Sequence, residues 1–262
     1  MTIQIKKINF KHSFIFFLFC NIISLPFLGI DSSAIPSFIC LLLILIIGVS
    51  HGSLDHLKGK KLLKYFQINN TFIFYFAYLL LVTIIIILWI FFPSITLISF
   101  LIVASFHFGK EDTQFLIHEN SYMNQLFFFF KGSLVILAPL FFHFDQTINI
   151  FKLLLVENET FYSSLAIIEE KKLLYFAIFL STLSSAILFI KKFEIKKFII
   201  FLDYFSIILI NYYFEPLMAF TIYFCFLHSI RHSISLIFEL DDENPLNGFS
   251  LFVKKALPLT IL

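Results

Sequence analysis

The sequence is poor in charge. Asp, Glu, Lys and Arg supply only 14% of its 262 residues, and the formal net charge is +2. A soluble domain carries about 25% charged residues. The small net charge argues against a nucleic-acid partner, since phosphate binding needs a basic surface. Cysteine is scarce as well. Cys20, Cys40 and Cys225 stand far apart inside apolar runs, which excludes a CxxC site and reads as free core thiols. Glycine and proline, seven of each, are nowhere gathered into a linker, and no segment repeats. The expected organisation is therefore one domain over residues 1–262. No Ser-His-Asp arrangement and no paired carboxylates stand out. No small-residue cleavage site follows Lys6, Lys7, Lys11 and the apolar run behind them. That run continues through Leu25-Pro26-Phe27-Leu28-Gly29-Ile30, so it reads as an uncleaved membrane helix rather than a signal peptide.

What the chain has in excess is hydrocarbon. It is 60% hydrophobic with a mean hydropathy of +0.94, which predicts an all-α integral membrane protein. The forty phenylalanines read as compositional bias. Apolar runs at 13–30, 34–50, 72–92, 94–108, 125–144, 173–190, 198–214 and 216–238 predict a polytopic bundle of about eight transmembrane helices. A ninth run at 249–262 would span about 21 Å as a helix, short of the roughly 30 Å hydrocarbon core, so the chain is expected to stop inside a partial last helix. The run 94–108 is also short and is expected to end inside the protein. With the N-terminus inside, twelve lysines fall in inner segments: Lys6, Lys7, Lys11, Lys58, Lys60, Lys61, Lys64, Lys110, Lys191, Lys192, Lys196 and Lys197. The long outer loop, 145–172, carries only Lys152, Lys171 and Lys172. This imbalance predicts a multi-pass protein of the cell membrane with a cytoplasmic N-terminus.

The polar residues inside these runs carry the chemistry, because a polar group in lipid is costly and faces the protein interior. In the run 216–238, Thr221, Cys225, His228, His232 and Ser235 form one stripe. His228 and His232, four apart, stack on one helix face, where two imidazoles can reach one metal ion. On the eight-helix topology they lie about 18 and 24 Å below the outer surface. His51 and His107, at the inner ends of the second and fourth runs, fall at the same depth. Each sits beside glycine, in Gly48-Val49-Ser50-His51-Gly52 and in His107-Phe108-Gly109. Both stretches are expected to break their helices and let backbone approach closely. Asp55, Glu111 and Asp112 are within sequence reach to orient ligand imidazoles, though Glu111 reads first as a solvated loop acid and Asp55 reads equally well as either. His12 and His143 are expected at the surface or interface and His118 in a solvated loop, and His56 is a fifth, weaker candidate ligand. Tyr223 and Phe224 could line a substrate tunnel, although core aromatics are the plainer reading. Four neutral imidazoles suit zinc, iron, copper or nickel. A site sunk in an apolar cavity suits Fe(II) handling oxygen and an apolar substrate.

His-Gly-x-x-Asp-His at 51–56, His-Phe-Gly at 107–109 and His-x-x-Arg-His at 228–232 resemble the signatures of the Brp/Blh family. These are membrane-bound β-carotene 15,15′-dioxygenases associated with microbial rhodopsins. The order and spacing match from about residue 45 to 235, with Ser50 where the family often has proline. The resemblance implies a helical membrane fold and one non-haem iron, Fe(2+), on His51, His107, His228 and His232. It implies cleavage of the central double bond of β-carotene by O₂ to two all-trans-retinal, in the lipid bilayer, with a rhodopsin apoprotein as a possible receiver. It implies no catalytic side chain beyond the metal ligands.

Three other readings compete. Membrane di-iron desaturases and hydroxylases use boxes such as HxxHH, which this chain lacks. A haem- or metal-binding transporter or cytochrome could pair His107 with His228 across two helices. A structural membrane protein with buried histidines would bind no metal.

Overall fold

The computed structural model describes residues 3–27, 36–48, 54–117, 121–190 and 198–261. Among them every regular element is helical. His51 and His118, residues 191–197 (the expected Lys-rich inner loop) and the side chain of Asp55 lie outside the described part. In chain order the helices are α1 Ile3–Ser24, α2 Ser37–Leu43, α3 Asp55–Tyr65, α4 Phe72–Phe91, α5 Pro93–Thr113, α6 Tyr122–Phe142, α7 Phe144–Leu153, α8 Glu159–Glu170, α9 Leu173–Ile190, α10 Ile199–Tyr213, α11 Pro216–Tyr223, α12 Ile230–Leu240 and α13 Pro245–Ile261. Two π-type segments interrupt the pattern. Ile44–Gly48 continues α2, and Phe224–Ser229 joins α11 to α12. Among the described residues, four helices are long and apolar enough to cross a membrane: α4, α5, α6 and α9. Ser37–Gly48 and Ile199–Tyr213 are shorter apolar helices.

Local chemistry sets the boundaries. Phe92, at φ −137°, breaks α4, and Pro93 starts α5 at a first-turn position where a missing N–H costs nothing. Ser121 caps α6 by accepting from the Asn124 amide at 3.2 Å, which moves the start of α6 ahead of the expected residue 125. Pro139 lies inside α6 without ending it. The expected outer loop 145–172 contains two further helices, α7 and α8. The Asn158 side chain caps α8, accepting from Phe161 N at 2.9 Å. The Lys-rich stretch after residue 54 is likewise helical, as α3.

One expectation fails in an informative way. The run at 94–108 does not stop at Gly109, because α5 continues to Thr113. Glycine there serves helix packing instead. A Cβ on Gly109 would lie 1.7 Å from the Phe128 carbonyl oxygen, and one on Gly132 would lie 1.8 Å from that of Ser105. Helices α5 and α6 therefore touch backbone to backbone along a small-residue stripe, Ser105-x-x-x-Gly109, the contact by which helices associate in lipid.

The central cluster draws Phe16 and Cys20 from α1, Phe108 from α5, Leu134 and Ala138 from α6, Tyr204 and Ile207 from α10, and Ile222, Tyr223 and Leu227 around the second π segment. The three cysteines are free and buried, as expected. The histidine-bearing stretch 216–240 is thus wrapped by α1, α5, α6 and α10.

Candidate metal centre

His107, Glu111 and Asp112 lie on the last two turns of α5. His107 and Glu111 are four residues apart and share a face. Opposite them stand Tyr223, His228, Arg231 and His232. The π-type segment Phe224–Ser229 ends just after His228, and such segments concentrate at functional sites because they re-aim the side chains that follow. The His107 and His228 rings meet edge to face, with centroids 5.2 Å apart. His228 is fully buried and His232 is 3% exposed, whereas His107 is exposed.

Asp112 organises the buried side of this group. Its Oδ1 accepts from His228 Nδ1 at 3.1 Å, and its Oδ2 accepts from the Tyr223 hydroxyl at 2.8 Å. Its backbone carbonyl accepts from Arg231 Nη1 at 2.8 Å. Arg231, 1% exposed, also forks onto Asp203 of α10, with Nη1 to Oδ2 at 2.8 Å and Nη2 to Oδ1 at 3.3 Å. The same Nη2 donates to Ser13 of α1, and the guanidinium lies 5.0 Å over the Phe115 ring. A buried charge pair is tolerable when most of its hydrogen-bonding groups are met; here both terminal nitrogens of Arg231 are, while its Nε is not. The carboxylate at Nδ1 also fixes the His228 tautomer: Nδ1 carries the proton, so Nε2 carries the lone pair.

His232 also has a carboxylate beside it, at a looser distance. Its Nδ1 lies 3.3 Å from Glu111 Oε2, and Gln114 donates to the same carboxylate. Its Nε2 faces Lys58 Nζ at 3.4 Å, so an ammonium is accommodated on that side. Imidazoles with a carboxylate beside Nδ1 are the usual donors to a transition metal through Nε2, and at His232 the Lys58 ammonium would have to give way to the ion. The residues present fit such an ion. Among the described residues no three His, Cys, Asp or Glu side chains close into a metal-binding group, and His51 falls outside them.

Over residues 42–262 the sequence matches the family model described as beta-carotene 15,15′-dioxygenase. The chain belongs to that family. Comparison with curated proteins and with solved structures gives no match.

Of the expected ligands, the fold brings His107, His228 and His232 of this family member together. His143 joins α6 to α7 as both C-cap and N-cap, away from the group. His56 is half-buried in the first turn of α3. Two readings need correction. Glu111 is not a solvated loop acid, because α5 extends past it and turns it onto His232. Tyr223 and Phe224 are core aromatics, the plainer of their two readings; Tyr223 is also a donor to Asp112, and Phe224 stacks on the His228 ring at 5.8 Å. His12 is not a surface residue: its Nε2 donates to the Phe226 carbonyl at 2.8 Å. Sequence reasoning also missed Asp203 and Ser13. Asp203 had a signal, as a lone carboxylate in an apolar run; Ser13 had none.

A cavity of about 420 Å³ reaches His232, with Lys58, Glu111 and Glu239 on its polar side and Ile5, Leu236 and Phe238 on its apolar side. An apolar groove of about 330 Å³ lies between α5, α6 and α9, lined by Leu101, Phe130, Leu137 and Leu180 among others.

Proposed function

We propose that the protein is a non-haem Fe(II) dioxygenase that cleaves the 15,15′ double bond of β-carotene with O₂ to two all-trans-retinal, with His51, His107, His228 and His232 as the iron ligands. The observation that carries this reading is the pair of carboxylate-backed histidines, Asp112 on His228 and Glu111 beside His232, in a chain of the β-carotene dioxygenase family. Fe(II), when bound, supplies the activation of O₂ that an unactivated C=C requires. The chain's own residues hold that site in shape. Asp112 sets the tautomer of His228, Tyr223 and Arg231 hold Asp112, and Asp203 holds Arg231.

The overall reaction needs no proton. One C=C bond and one O=O bond break, two C=O bonds form, and C₄₀H₅₆ plus O₂ gives two C₂₀H₂₈O. Tyr223 and Asp112 are committed to each other, which suits a reaction that asks neither for acid nor for base. A haem reading is disfavoured by the edge-to-face contact of His107 and His228, which leaves no slab between the rings for a planar macrocycle. We place the protein in the cell membrane as a multi-pass bundle of about eight helices, with a cytoplasmic N-terminus and the metal in the inner half. β-Carotene would then enter from lipid, and retinal would leave into it, where a rhodopsin apoprotein could take it up.

The test is chromatography of the products from β-carotene with iron and O₂, alongside elemental analysis. Retinal as the sole aldehyde and about one iron per chain are expected. Apo-carotenals of unequal length, no product, or two irons per chain would overturn the assignment.

A further inference from the structure

The first helix contributes nothing to the motifs of the family, and the family match begins only at residue 42. Yet α1 grips the histidine helix at two points. His12 donates from Nε2 to the carbonyl of Phe226, inside the π-type segment, at 2.8 Å. The next residue, Ser13, is buried and accepts from Arg231. Phe19, further along α1, packs its ring 5.5 Å from that of Phe226. Asn9 and Ser13 are both fully buried, so this face of α1 is an interior face with polar groups on it.

The location of the His12 bond gives it a consequence. A π-type turn shifts the backbone ladder from i→i+4 to i→i+5, and it persists where an outside group compensates for the poorer geometry. The Phe226 carbonyl lies in the middle of this turn, two residues before His228. Because a carbonyl only accepts, His12 must carry its proton on Nε2. Without that donor the segment gains by reverting to α-helical register. One residue of register is about 100° of rotation, enough to take His228 Nδ1 away from Asp112. We infer that His12 is a positioning residue: its bond to Phe226 O holds the π-type turn that aims His228 and His232, so that α1 is part of the metal centre.

This inference rests on the iron reading, and the experiment separates the two. The probe is Co(II) added to the metal-free full-length protein in detergent. Binding is followed by the visible d–d bands, which report ligand number and geometry, and thermal unfolding is measured in parallel. His12→Gln carries an amide N–H at the position of Nε2; His12→Asn carries one that falls short; His12→Leu carries none. Wild type and His12→Gln are expected to bind about one Co(II) with the same bands. His12→Asn and His12→Leu are expected to bind about tenfold more weakly, with altered bands, by the same logic that makes partners of ligand histidines worth about 10–100-fold in affinity. If His12→Leu does not fold, the contrast between Gln and Asn carries the test. Co(II) binding by His12→Asn equal to wild type overturns the positioning role while leaving the iron reading intact. No Co(II) uptake by wild type overturns the iron reading and this inference with it.

Discussion

Helix α4 and the stretch 216–240 are built on opposite rules. Helix α4 is the most apolar of the four long helices, yet none of its residues is buried. Ile84, Ile85 and Ile86 are 43, 46 and 55% exposed. The stretch 216–240 carries Thr221, Cys225, His228, Arg231 and His232, all buried. In water the two would exchange places. In the membrane setting proposed above, lipid is as apolar as leucine, so hydrocarbon gains nothing by leaving it, while each polar group gains by finding a partner inside. What holds α4 is correspondingly slight, including one bond from the Trp89 indole N–H to the Leu154 carbonyl at 2.8 Å. The histidine stretch is fastened by charge-assisted bonds to α1, α5 and α10.

The comparison breaks most completely at the imidazoles. His228→Ala and His232→Ala should each reduce retinal formation to background. His143→Ala, at the α6–α7 junction, should leave it unchanged. Asp112→Asn should keep the fold but weaken metal affinity about 10–100-fold, as loss of a partner behind a ligand histidine does. Equal retinal formation in the three alanine variants would sink the site.

Arg231 comes next. Arg231→Met leaves Asp203 buried without its cation, and breaking such a pair costs about 3–5 kcal/mol. The double variant Arg231→Met/Asp203→Leu removes both charges and should recover most of that loss. It should not restore activity, because the Asp112 carbonyl has still lost its donor and Ser13 its bond to the guanidinium. Denaturant titration in detergent, read beside retinal formation, separates the two effects. Recovery of stability and activity together would reduce Arg231 to a structural ion pair.

The sequence was legible wherever apolar length or helical spacing carried the information. The runs 72–92 and 173–190 match α4 and α9 within a residue, and the i, i+4 spacing put His228 and His232 on one face. It was less legible where context decides. Gly109 reads locally as a helix breaker, but the Phe128 carbonyl packed against it shows why α5 needs glycine and runs on. That continuation carries Glu111 and Asp112 to their histidines. The amphipathic helices α3, α7 and α8 were missed because a search for apolar runs passes over them. His12 looked like a flanking residue because its partner, Phe226, is 214 positions away. Asp203 and Lys131, both buried, were the signals left unused, since charge within an apolar run points inward.

The smallest effect belongs to α4, and it tests whether exposure there means lipid. The variant Ile84→Leu/Ile85→Leu/Ile86→Leu changes side-chain shape without changing polarity. Consecutive residues point in different directions around the helix, and where they meet only fluid hydrocarbon, shape has no fixed partner to fit. Each substitution should stay within about 0.5 kcal/mol, the usual range for surface changes, and retinal formation should not move. The contrasting variant Ile86→Arg places a charge where lipid is proposed, at a cost of about 2.5–3.5 kcal/mol near a helix centre. It should lower the amount of inserted protein, measured by membrane fractionation, without altering the activity of the molecules that do insert. A large loss of stability in the leucine variant would mean that this face fits a packed surface, such as a second copy of the chain. In that case the contrast between an apolar outside and a polar inside would no longer hold for α4.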